Sequence, residues 1–103
     1  MGSADLVRTF LRAQNLEQVG RVDEAIELYE SMVEARFDSA GPYDRLVALY
    51  AHRSAHADVV RVATAALERV HTHADKRGFY ARARDEARRA TDKVPPAAPR
   101  RPR

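Results

Sequence analysis

The sequence predicts an all-α protein made of antiparallel helical hairpins, and three observations carry that expectation. Apolar residues recur at three-to-four spacing along most of the chain. Short breaks containing Gly, Ser or His interrupt the pattern at intervals of roughly one helix. A shift of 34 residues superposes the apolar positions of the first hairpin on those of the second. No strand-like alternation competes with these signals, and short connections make consecutive helices antiparallel neighbours.

The first helix carries Leu6, Phe10, Ala13, Leu16 and Val19 on its apolar side, with Ser3 as its expected N-cap. Gly20 ends it, because glycine enters the left-handed geometry of a helix C-terminus without steric cost. The second helix is expected over about Val22 to Ala35, with Asp23 and Glu24 in the first turn, where the helix dipole favours negative charge. Ala25, Ile26, Tyr29, Met32 and Val33 form its buried stripe. Glu27, Glu30 and Glu34 are expected to face water.

Pro42 suits the first turn of a third helix running to about His52, which buries Tyr43, Leu46, Val47 and Tyr50. A turn at Ser54 to Ala57 leads to a fourth helix over about Asp58 to Val70. It buries Val59, Val60, Ala63, Ala66, Leu67 and Val70. The fifth helix, about Ala74 to Thr91, has a thin apolar strip of Phe79, Ala83, Ala87 and Ala90, with Tyr80 beside it and arginines elsewhere. From Lys93 on, prolines and arginines predict a disordered tail.

Charge is unevenly placed on this chain of 103 residues and net +3. Residues 1–40 hold four arginines against eight acids, and residues 41–103 hold fourteen bases against seven acids. An acidic end and a basic end favour head-to-tail contacts or an acidic partner. The chain has no cysteine, which removes disulfides and thiolate metal sites from consideration. It has no apolar run of membrane-spanning length and no leader pattern, so a cytoplasmic location without membrane contact is expected.

In the 34-residue overlay Leu16 falls on Tyr50, Gly20 on Ser54, Ala25 on Val59, Tyr29 on Ala63 and Val33 on Leu67. Here the residues resemble the tetratricopeptide repeat family. Val19-Gly20-Arg21-Val22-Asp23-Glu24-Ala25-Ile26-Glu27-Leu28-Tyr29 is similar to the start of that family's second helix. Ala13 matches the small residue where the two helices cross. Departures are Thr9 and Arg12 in place of an aromatic and a leucine, Met32 in place of alanine, and Phe37 and His71 in place of the closing proline.

The resemblance implies a short right-handed α-solenoid of about five helices within residues 1–92. Repeat 1 covers about 5–37, repeat 2 about 41–71, a capping helix about 74–91, and the tail 93–103 follows. Usually about three repeats are needed for a stable array; self-association, a tightly packed cap or origin in a longer repeat protein would make up the shortfall, and dimerisation is the expectation.

It also implies a protein or peptide partner held in a concave groove lined by the first helix of each repeat. The groove positions fall on Val7, Phe10, Gln14, Glu17 and Gln18, then on Asp44, Arg45, Ala48, Ala51 and His52. Arg77, Arg82 and Asp85 are candidates on the fifth helix. Relatives that grip acidic chaperone tails use a lysine, asparagine and arginine clamp. The corresponding residues here are Phe10, Gln14 and Arg45, so that specificity is not implied.

Catalytic and cofactor chemistry finds no support in the sequence. The four glycines are scattered rather than gathered in a phosphate loop, and no serine sits in an elbow motif. His52 and His56 have a spacing seen in metal sites, but a helix is expected to end between them. A nucleic-acid accessory role through the Arg-rich fifth helix and tail is the alternative reading. Against it stand the acidic first forty residues and the lack of aromatics in the tail.

Overall fold

The computed structural model describes residues 3–37, 39–70 and 74–93, except for the side chains of 3, 4, 74–76 and 93. Five α-helices account for nearly all of them: α1 Ser3–Gln18, α2 Val22–Glu34, α3 Ala40–His52, α4 His56–Arg69 and α5 Ala74–Lys93. No strand occurs among the described residues. Each helix packs on the next in sequence, and α3 also touches α5. The fold is therefore all-helical, as the periodicity predicts. Residues 94–103 lie outside the described residues, as does the expectation made for them.

The two hairpins repeat at the level of single hydrogen bonds. At the end of α1, Gly20 N–H donates to Glu17 C=O (3.0 Å) and Arg21 N–H donates to Leu16 C=O (2.8 Å). At the end of α3, Ser54 donates to Ala51 (3.0 Å) and Ala55 donates to Tyr50 (2.9 Å). Every donor and acceptor is offset by 34 positions. Such paired bonds satisfy the last carbonyls of a helix once a left-handed residue turns the chain. Gly20 (φ 85°) and Ser54 (φ 57°) are those residues, and they occupy the same register. Arg21 (φ −91°, ψ 63°) and Ala55 (φ −84°, ψ 70°) then open α2 and α4 with matching geometry.

Ser54 holds without glycine a conformation that costs L-residues roughly 1–2 kcal/mol. Ser54→Gly is therefore expected to stabilise the protein by about 0.5–1 kcal/mol, glycine's greater freedom when unfolded offsetting part of the relief. Thermal unfolding should show a higher melting temperature than wild type. Gly20→Ser, which imposes the same geometry on a serine, should lower it.

The core fills the space between the hairpins. Ala13 and Ala25 are completely buried, as the small residues of the first hairpin should be where its helices approach closely. Tyr29, Met32, Tyr43, Leu46, Val62 and Tyr80 are the large side chains sealed from solvent. Several positions depart from expectation. α4 begins two residues earlier, at His56, because the Ala55 turn directs the chain straight into the helix. Val62 is fully buried, whereas Val60 and Leu67 are only partly so. Tyr80 is the sealed anchor of α5, and Phe79 lies at the edge.

The register of α5 follows from that anchor. Tyr80 stands 34 positions after Leu46, and both are completely buried.

Candidate functional site

Three tyrosine–carboxylate contacts tie helices together, α1 to α2, α2 to α3 and α3 to α5, and they take up several residues expected to face a ligand. Glu17 on α1 accepts the Tyr29 hydroxyl from α2 (2.5 Å) and a two-pronged contact from Arg45 on α3, with Nη2 to Oε1 at 2.6 Å and Nε to Oε2 at 3.1 Å. One helix further on, Glu30 of α2 accepts the Tyr50 hydroxyl from α3 and two guanidinium nitrogens of Arg61 from α4. Asp44 of α3 accepts the Tyr80 hydroxyl of α5 at 2.7 Å. A bidentate arginine fixes orientation as well as attraction, so each three-residue node sets the angle between neighbouring helices.

Glu30 therefore does not face water as its helical position suggests. It is half-buried because Tyr50 of α3 and the long Arg61 side chain of α4 reach over it. Arg61 also lies 6.0 Å from the centre of the Tyr50 ring.

Arg45 hydrogen-bonded to Glu17 holds that carboxyl below the usual carboxylate range, with Tyr29 adding to the effect against partial burial. Burial opposes the same shift at Glu30, but the hydrogen bonds from Arg61 and Tyr50 outweigh it and the net direction is again down. A depressed folded-state pKa supplies stability above the unfolded value, about 4.3 for Glu, and loses it as pH falls through the folded value. Glu17→Gln/Glu30→Gln should be less stable than wild type at pH 7. The difference should shrink below about pH 4 as the wild-type carboxylates protonate. Urea unfolding across a pH series reads both effects.

The remaining candidates separate into two regions. Phe10 is half-buried and packs inward: its ring lies 5.9 Å from that of Tyr29 and covers the backbone at Gly41, where an added Cβ would come within 2.7 Å of the ring. Gln14 is partly covered, and Gln18 is exposed. Val7 is 52% exposed, together with Leu11, which the sequence reading did not single out. These residues border α1 at one end of the molecule.

The second region is a groove between α3 and α5. It has a volume of about 470 Å³, with Ala48 and Ala51 on one wall and Phe79, Ala83 and Ala90 on the other. Val47 and Val59 lie at its base. Arg82, Glu86 and His56 supply the polar atoms around it. The structure thus brings Ala48 and Arg82, both named from the sequence, into the lining of one trough. It adds Phe79 and Glu86, which sequence reasoning missed because the register of α5 was needed to place them. His52 is exposed but does not line this groove, and Asp44 and Arg45 are engaged in the nodes described above.

The alanines have a physical consequence. Their short side chains leave room for another backbone to come close, beside the charged groups of Arg82 and Glu86 in the same lining.

No family model, curated protein or solved structure matches the chain. Functional inference therefore rests on its own geometry. Among the described residues no group of three or more His, Asp or Glu side chains is placed to hold a metal ion. No helix among them is long and apolar enough to cross a membrane.

Proposed function

We infer that this chain is a non-catalytic protein-binding module of the tetratricopeptide type, and that it docks an apolar segment of a partner in the groove between α3 and α5. The observation that carries the reading is that groove: a mainly apolar trough with alanine walls, based on the buried Val47 and Val59. The 34-residue recurrence of the hairpin turn supports the family resemblance independently of side-chain identity. Binding by such a trough uses backbone approach and a few apolar contacts, and it needs no reacting group.

Selection of random peptides on the full chain tests the proposal. Ala51 is exposed on the groove wall, so Ala51→Glu should leave the fold intact while introducing a charge that an apolar ligand would have to desolvate. Selected peptides are expected to lose about tenfold or more in affinity for Ala51→Glu, equivalent to ~1.4 kcal/mol. Glu27→Lys, on α2, should leave their affinity unchanged. Peptides indifferent to Ala51→Glu would overturn the assignment of the groove.

A further inference from the structure

We propose that two copies of this chain pair face to face through the groove between α3 and α5, with the two α5 helices antiparallel. The proposal names an occupant for the groove and rests on its reading as a docking face.

The charges along the groove wall are self-complementary. Arg82 and Glu86 stand four residues apart on α5, about one helical turn, and both line the groove. Both are exposed, and neither side chain has an ion-pair or hydrogen-bond partner among the described residues. A foreign segment of uniform charge meets attraction at one of them and repulsion at the other. A second copy running antiparallel presents the same two charges in reverse order. Centred near Arg84, it sets Arg82 opposite the partner's Glu86 and Glu86 opposite the partner's Arg82. Such a contact closes on a two-fold axis, with the same patch used by both copies.

The apolar residues obey the same axis. Phe79 lies five residues before Arg84 and Ala90 six residues after it. The antiparallel copy therefore brings each Phe79 ring against the partner's Ala90, a large residue against a small one. Ala48 and Ala51, both exposed, form the far wall on α3. Short side chains there let the ridge of the partner's α5 enter the trough at an interaxial distance of about 8–10 Å. Apolar surface from both copies leaves water together, which adds to the two rim ion pairs. Other arginines of α5 are engaged elsewhere: Arg84 is paired with Asp85, and Arg88 lines a separate hollow with Ala57 and Val60 of α4. Arg89 falls level with the partner's Phe79, where a guanidinium is attracted to the face of a ring.

Pairing hides Ala48, Ala51, Phe79 and Ala83 in each copy, so self-association and capture of a foreign segment compete for one surface. A contact built from alanines, one phenylalanine per copy and two rim ion pairs is modest, and a dimer dissociation constant in the micromolar range is expected. The groove is then covered at high concentration and exposed on dilution or when a tighter ligand arrives.

Sedimentation equilibrium of the full chain, from low to several hundred micromolar, reads the pairing. Wild type is expected to follow a monomer–dimer equilibrium. Arg82→Glu sets acid against acid at both crossings, because the two-fold axis doubles every substitution, and Glu86→Arg sets base against base. Each is expected to raise the dimer dissociation constant by about tenfold or more. Arg82→Glu/Glu86→Arg restores both crossings with the signs exchanged and should return to within about threefold of wild type. An equimolar mixture of the two single variants should pair as well, although neither does so alone. Recovery in the double variant separates a lost contact from a lost fold. A wild-type chain that stays monomeric, single variants that dimerise as wild type does, or a double variant no better than the singles would overturn the proposal. So would masses that climb past the dimer, since these would assign the contact to a head-to-tail arrangement, such as the exposed Val7 and Leu11 of α1 entering the groove. The centrifuge contains no foreign peptide, so the two readings fail separately. A monomeric chain whose selected peptides still weaken with Ala51→Glu sinks the pairing and leaves the docking reading. Charge-reversal rescue with peptides indifferent to Ala51→Glu leaves the groove as a face for a second copy alone.

Discussion

Tyr80→Ala is expected to destabilise the protein by about 3–5 kcal/mol, the range for truncating a fully buried aromatic side chain. Tyr80 is the largest buried residue of a helix that otherwise offers alanines and one partly covered phenylalanine to the core. Its ring is completely buried in the core cluster. Its hydroxyl donates to Asp44 on α3, and burial together with that acceptor keeps the phenol protonated far above its ordinary range. Small domains have total stabilities of about 5–15 kcal/mol, so the loss is a large fraction of what holds the fold.

The outcome has a spatial signature. α5 docks mainly on α4, and Tyr80 is its completely buried large side chain, tied to α3 through Asp44. Hydrogen exchange should show α5 amides losing protection first in Tyr80→Ala, with the α1–α2 turn least affected. Tyr80→Phe keeps the ring and should cost only about 1 kcal/mol, the net worth of one hydrogen bond. Urea unfolding of the three proteins gives the comparison. Near-equal midpoints for wild type and Tyr80→Ala would mean that α5 is not anchored through this residue, and the groove between α3 and α5 would lose its fixed wall.

Most of the architecture was legible in the sequence for a specific reason. Helical periodicity and the Gly20 turn are local signals, and the second hairpin repeats the first at the offset of 34 on which both were compared. Ser54 illustrates the gain: its residue type is a weak turn signal, yet its register with Gly20 places it where a left-handed residue is required.

What escaped was whatever depends on two helices at once. Glu30 sits on the polar side of α2 by its own periodicity and becomes half-buried only because Arg61 arrives from α4. Glu17, Asp44 and Arg45 carry polar groups at positions that the family resemblance assigns to a ligand. In this chain they face tyrosines and each other. The groove was half legible for the same reason. Ala48 and Arg82 follow from register, whereas Phe79 and Glu86 need the packing angle of α5, which Tyr80 decides.

The nodes also follow a different rule from the turns. The first links α1, α2 and α3 through Glu17, Tyr29 and Arg45, and the second links α2, α3 and α4 through Glu30, Tyr50 and Arg61. They advance by one helix, not by one hairpin, so a comparison at an offset of 34 passes over them. Backbone turns set the repeat, while the side-chain nodes join each hairpin to the next and give the stack continuity across its weaker α2–α3 boundary.

Tyr29→Ala puts that distinction to the test. Ala63 occupies the equivalent register position in the second hairpin, so a reading from the repeat alone would treat the change as mild. The contacts say otherwise. Tyr29 is completely buried, its ring meets Phe10, and its hydroxyl donates to Glu17 in the node that also holds Arg45. Removing the ring leaves a cavity between α1 and α2 and costs about 3–5 kcal/mol. It also takes one donor from a carboxylate whose side chain is only 14% exposed. Arg45 remains bound to Glu17, so the carboxylate keeps its charge partner and the loss stays within that range. A double-mutant cycle of Tyr29→Phe with Arg45→Ala isolates the coupling within the node, expected at about 0.5–1.5 kcal/mol because both donors share one carboxylate. Restoring volume at the other register position, as in Tyr29→Ala/Ala63→Tyr, should not rescue stability. The second site is already filled by its neighbours, and overpacking adds about 1–3 kcal/mol to the loss. Rescue by that pair would mean that the two hairpins are interchangeable layers. A loss larger than either single change would mean that the layers share a turn but are individually fitted in their interiors.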